Sequence, residues 1–196
     1  MNLPNKISLA RICMIPVFVL FFFLEAVPFN QVIAAVIFAA AALTDLLDGH
    51  IARSRGLVTN LGKFLDPIAD KVLVMTAFVL MLTADDIFGL LGGWCYIARA
   101  VCICVILARE LIISAFRQIA AASGVVLAAE KLGKYKTTFQ DLSVFVLLLS
   151  ADISGRAGQV VNIVGLVLFA VAVVLTVWSG ISYVVRNRQV LKDTEH

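Results

Sequence analysis

Apolar residues run along this chain in six long blocks, 6–26, 30–52, 62–84, 94–119, 132–151 and 157–185. The breaks between them carry turn chemistry: Pro28 and Asn30, Ser54 to Gly56, Asp85 to Gly93, Ser123 and Gly124, and Asp152 to Gly158. Each block is near the roughly 20 apolar residues that span a bilayer core as a helix. A membrane barrel would instead show short segments of alternating polarity, and none is present. A helix satisfies its own backbone in lipid. The pattern therefore predicts an all-α integral membrane protein with six transmembrane helices, built as a single domain over 1–196. The first block lacks a small-residue cleavage site at signal-peptide distance, so it is expected to be a retained span.

Composition agrees. The chain is 62% hydrophobic and 15% charged, whereas soluble domains run about 45–50% apolar and about 25% charged. Its net charge of +3 sits between the apolar blocks, which marks membrane topology and not a nucleic-acid surface. Lys6 and Arg11 lie at the N-terminus; Arg53, Arg55 and Lys63 surround the second connection. Arg117, Lys131, Lys134 and Lys136 surround the fourth, and Arg186, Arg188 and Lys192 follow the last block. The first connection has no Lys or Arg, the third has none between Leu80 and Gly93, and the fifth has only Arg156. The positive-inside rule then places both termini in the cytoplasm, as an even number of spans requires. With no transit peptide, the expected location is a bacterial inner (cytoplasmic) membrane, crossed several times. The four cysteines, Cys13, Cys95, Cys102 and Cys104, lie in apolar blocks without metal or redox spacing, and read as packing residues.

The charges left inside the blocks carry the chemistry. Asp45 and Asp48 fall near the cytoplasmic end of the second block; Asp66, Asp70 and Lys71 fall near the cytoplasmic start of the third. Ionisable groups at membrane depth are costly, and four carboxylates gathered there need a cation to offset their repulsion. Asp45 and Asp48 are three residues apart, Asp66 and Asp70 four, so each pair shares a helix face. The short connection makes the two helices antiparallel neighbours, so the two faces can meet. Carboxylate oxygens without His or Cys suit Mg²⁺ or Mn²⁺ and argue against zinc. Two such ions about 3.5–4 Å apart could clamp phosphates. His50 is two residues from Asp48 and faces elsewhere. Gly49 and Ala52 permit close approach of a ligand or of a neighbouring helix, Arg53 could contact a phosphate or base, and Gly62 opens the third helix after Thr59 and Asn60. Arg109 and Glu110, late in the fourth block, could form an ion pair.

The segment from Asp45 to Asp70, DLLDGHIARSRGLVTNLGKFLDPIAD, resembles the signature D-x2-D-G-x2-A-R-x8-G-x3-D-x3-D of the CDP-alcohol phosphotransferase family. All eight fixed positions match: Asp45, Asp48, Gly49, Ala52, Arg53, Gly62, Asp66 and Asp70. NLPNKISLARI at the N-terminus, ARELIISAFRQIA at 108–120 and GKYKTTFQ at 133–140 resemble the branch of that family that makes phosphatidylglycerophosphate. The last helix matches in hydrophobicity alone.

The resemblance implies transfer of the phosphatidyl group from CDP-diacylglycerol to sn-glycerol 3-phosphate, with release of CMP, at a site facing the cytoplasm. It also implies that Asp45, Asp48 and Asp66 ligate metal, and that Asp70 ligates a second ion and serves as the base. Gly49, Arg53 and Thr59, framed by Ala52 and Gly62, would contact the CDP part, with Asn5, Ser8 and Arg11 from the N-terminal segment. Homodimers are common in the family. Acceptor phosphate needs basic side chains, and Arg109, Arg117, Lys134 and Lys136 are the candidates; the same cations also fit topology or headgroup contacts. A sister enzyme that uses inositol phosphate, serine or phosphatidylglycerol shares the metal motif. An ion transporter is disfavoured, because the acids cluster at one membrane face and no paired broken helices occur. A structural membrane protein would have no use for the complete signature.

Overall fold

The computed structural model of the chain describes residues 3–55, 60–84, 87–88, 95–122 and 131–188; the side chains of 3–6, 45–55, 60–67, 70, 122 and 131 fall outside that description. The described residues form α1 (Leu3–Phe23), α2 (Asn30–Arg55), α3 (Asn60–Met81), α4 (Cys95–Ala122), α5 (Lys131–Ala151) and α6 (Gly155–Arg186), with no strand among them. Each helix falls on one apolar block. The fit at the ends is set locally. At the end of α1, side chains take up carbonyls that have no partner within the helix. Asn30 Nδ2 donates to the carbonyls of Phe21 (3.3 Å) and Phe22 (3.3 Å), and Gln31 Nε2 donates to Phe22 (3.0 Å). α3 ends just before its block does, where the Thr83 hydroxyl donates to the Leu80 carbonyl (2.7 Å). Such a local bond competes with continuation of the helix.

Among the described residues, α6 alone is long and apolar enough throughout to cross a bilayer by length and composition. Among the described residues, further apolar stretches run over Ile7–Phe23 in α1, Asn30–Thr44 in α2 and Lys71–Thr83 at the end of α3. The outward surface is apolar. Along α6, Val160, Ile163, Val167, Val174, Trp178, Ile181 and Val185 are exposed, while Asn162, Thr176 and Ser179 are buried. That is the reverse of a soluble helix and is the distribution that lipid solvates.

The chain divides into two compact units: Met1–Leu90 with Asp141–Leu166, and Leu91–Gln140 with Val167–His196. In the first, α1 packs along α2 and also meets α3, and α2 meets α3. Phe18 of α1 lies against Phe38 of α2 with ring centroids 5.9 Å apart, beside buried Ala34, Ala35 and Ala41. Small residues let the α2 backbone come close. Asp152, in the turn before α6, accepts from the Val32 amide in the first turn of α2 (2.8 Å). A carboxylate there complements the helix dipole.

Asn162 ties three segments of this unit. Its Nδ2 donates to the Ile87 carbonyl (2.7 Å) and to Ser150 Oγ (2.9 Å), and it is 6% exposed. Asn162→Ala takes a donor away from that buried carbonyl, so about 1–3 kcal/mol of stability should be lost. Thermal unfolding in detergent would measure it, and an unchanged midpoint would refute the tie.

The second unit contains α4, the start of α5 and the end of α6. Its core joins Ile113, Phe116 and Ala120 of α4 to Tyr183 of α6, with Val184 packed against them.

Candidate functional site

The backbone of α2 runs unbroken through Asp45, Asp48, Gly49, Ala52 and Arg53, and that of α3 through Gly62, Asp66 and Asp70. The side chains of these residues, Thr59 and the side chain of Asn5 lie outside the described residues. What is described is the frame: two helices in contact within one unit, carrying two carboxylates each. Among the described residues no three His, Cys, Asp or Glu side chains converge. The donor set of the two helices is four carboxylates, which fits a hard divalent cation.

The frame is held from α1 by Arg11, which is 1% exposed. Its Nε donates to the Ala41 carbonyl (3.2 Å) and to Thr44 Oγ1 (3.3 Å), and the Thr44 hydroxyl in turn donates to Ala41 (2.6 Å). A guanidinium is thus bound to α2 at the residue next to Asp45. One turn earlier on α1, Ser8 is completely buried. A positive charge lowers the mutual repulsion of carboxylates near it. It also suits an anionic ligand.

The other predicted cations lie in the second unit. Arg109 and Lys136 converge on one carboxylate: Arg109 Nη1 lies 3.1 Å from Glu110 Oε1, and Lys136 Nζ pairs with the same oxygen. Lys136 is 2% exposed, and a charge in so apolar a setting needs that partner. Arg109 Nη2 donates to Ser179 Oγ (3.1 Å). Arg117 is exposed, its Nε donates to the Tyr183 hydroxyl (3.2 Å), and its Cζ lies 5.2 Å from the centroid of the Tyr183 ring. Lys134 is exposed near the start of α5, two residues before Lys136.

The sequence pointed to the cations and to the Arg109–Glu110 ion pair, which the structure contains. It did not point to Lys136 at the same carboxylate. Ser179 and Tyr183 sit in a block that carries no motif. A signal exists in retrospect. Gly158, Asn162, Gly165, Phe169, Ala172, Thr176, Ser179 and Tyr183 are the buried positions of α6, and they recur every three or four residues as one helix face does.

Residues 1–178 match the family model described as CDP-alcohol phosphatidyltransferase. A protein of Bacillus subtilis (strain 168) is 38% identical over 206 residues, covering 98% of each chain. One of Shigella flexneri serotype 5b (strain 8401) is 40% identical over 194 residues, again covering 98% of each. One of Rickettsia bellii (strain RML369-C) is 36% identical over 182 residues and covers 93% of each. All three carry the name CDP-diacylglycerol–glycerol-3-phosphate 3-phosphatidyltransferase.

Proposed function

This chain belongs to the CDP-alcohol phosphatidyltransferase family, and from that premise we propose that it transfers the phosphatidyl group of CDP-diacylglycerol to sn-glycerol 3-phosphate. The products are phosphatidylglycerophosphate and CMP. The observation that carries this reading is the 36–40% identity, over nearly the whole chain, to relatives named for that reaction.

The chemistry follows from the residues. The acceptor hydroxyl is a weak nucleophile, so a carboxylate within hydrogen-bond reach must take its proton. Asp70 has that role. The hydroxyl oxygen bonds to the phosphorus that bears the diacylglycerol, and the bond from that phosphorus to the CMP oxygen breaks. CMP leaves with the bonding electrons. Asp45, Asp48, Asp66 and Asp70 would hold divalent metal, Mg²⁺ or Mn²⁺ as a pair of ions, which supplies positive charge to the pyrophosphate. Arg11, locked onto α2 by Ala41 and Thr44, orients the donor from α1 together with Asn5 and Ser8. Gly49, Ala52, Arg53, Thr59 and Gly62 complete the CDP site. Arg109, Arg117, Lys134 and Lys136 bind the acceptor phosphate. Beyond this the protein supplies position and electrostatics.

The same reading makes the chain one domain with six spans and both termini in the cytoplasm, in a bacterial inner membrane. The acyl tails stay in lipid while the CDP head enters from the cytoplasmic side. A homodimer is the expected assembly.

An acceptor panel tests the reaction. Purified protein receives CDP-diacylglycerol, Mg²⁺ or Mn²⁺ and one acceptor, and CMP is measured. Release with glycerol 3-phosphate is expected. Release only with inositol phosphate, serine or phosphatidylglycerol would keep the family and void the acceptor assignment.

A further inference from the structure

Arg109 and Arg117 are both held by the last turns of α6. Ser179 is 1% exposed; its hydroxyl donates to the Thr176 carbonyl (3.2 Å) and accepts from Arg109 Nη2 (3.1 Å). The serine therefore has a fixed orientation and presents an acceptor to the guanidinium. Next to it, a Cβ on Gly180 would stand 3.0 Å from Arg109 Cγ and 3.6 Å from its Nε. The arginine shaft lies directly over the glycine, and a methyl group there would press on it. Arg109 Nε is itself a buried donor without a hydrogen-bond partner. Four residues past Ser179, Tyr183 offers its hydroxyl to Arg117 Nε and its ring face to the same guanidinium. The tyrosine is 2% exposed, and its ring stands edge-on to Phe116 (5.9 Å, 79°), so its position is set by packing.

We propose that Ser179, Gly180 and Tyr183 form a cradle on α6 that fixes Arg109 and Arg117 for the phosphate of the acceptor, and so act as positioning residues for acceptor selection. This rests on the acceptor reading proposed above. The physical case is preorganisation. A long cationic side chain loses rotamer freedom when it binds a phosphate, and a side chain already held loses less. Two guanidinium groups held by neighbouring turns of one helix are also set relative to that helix. All three residues lie past 178, where the family match ends.

The experiment is steady-state CMP release by the full chain, varying each substrate in turn, for Ser179→Ala, Gly180→Ala and Tyr183→Phe. Removing a hydrogen bond to a charged group should raise KM for glycerol 3-phosphate roughly tenfold in Ser179→Ala and Tyr183→Phe. Gly180→Ala, which must push the Arg109 shaft by a few tenths of an ångström, should act in the same direction. KM for CDP-diacylglycerol should stay at the wild-type value in all three. Tyr183→Phe keeps the ring and its packing, so it guards against simple misfolding. Unchanged kinetics would overturn the cradle. So would a parallel rise in both KM values with a lower unfolding temperature, which is the mark of helix packing alone. If the wild type released CMP with another acceptor and not with glycerol 3-phosphate, the functional reading itself would fall, and this assignment with it.

Discussion

Asp70→Asn should cut the rate of CMP release by about 10²- to 10⁴-fold, the range that a positioned general base contributes. The substitution keeps size and one carbonyl oxygen, so α3 should fold as before and metal should still bind. What disappears is the ability to accept a proton from the acceptor hydroxyl. The loss should therefore fall on kcat, with KM for CDP-diacylglycerol little altered, because the donor contacts remain. Binding of Mn²⁺, followed by its paramagnetic resonance signal, separates loss of the base from loss of the ion. Wild-type turnover in Asp70→Asn would remove Asp70 as the base. Lost activity together with lost Mn²⁺ would make it a ligand first.

Chelation should be the larger effect. Treatment with a chelator should reduce CMP release to the uncatalysed background, and Mg²⁺ or Mn²⁺ should restore it. The two helices that carry the four carboxylates touch; carboxylates gathered there would repel one another, and the pyrophosphate of the proposed donor is also anionic. Without a cation, neither the cluster nor the substrate has its charge offset, and Arg11 alone cannot neutralise both. Asp45→Ala or Asp66→Ala should raise the metal concentration needed for half-maximal rate. Activity that survives exhaustive chelation would refute the metal site, and with it the role given to the aspartate signature.

Most of the fold was legible because membrane helices write their length and polarity in one dimension. The six blocks became α1 to α6 with ends shifted by a few residues. At the ends of α1 and α3 the shifts coincide with Asn30, Gln31 and Thr83, whose side chains bond carbonyls there in a way that hydropathy does not register. The aspartate signature was legible for a similar reason: fixed spacing on two consecutive helices needs no knowledge of tertiary packing. Arg11 was legible as a cation near the start, but not as a guanidinium fixed to Ala41 and Thr44, 30 and 33 residues away.

By itself, then, the sequence determined the helical class, the family signature and the candidate chemistry, since each depends on residue type and on separations within one or two helices. The tertiary structure alone decided how the cations are held beyond the pairing of Arg109 with its neighbour Glu110. Arg109 of α4 and Lys136 of α5 meet at Glu110, although they belong to different helices. Arg109 also rests on Ser179, and Arg117 on Tyr183, 70 and 66 residues distant. Such pairings depend on which faces of α4, α5 and α6 come together, and an almost uniformly apolar α6 gives hydropathy little to distinguish one face from another. Buried polar groups choose the face, because each must find a partner once water is excluded.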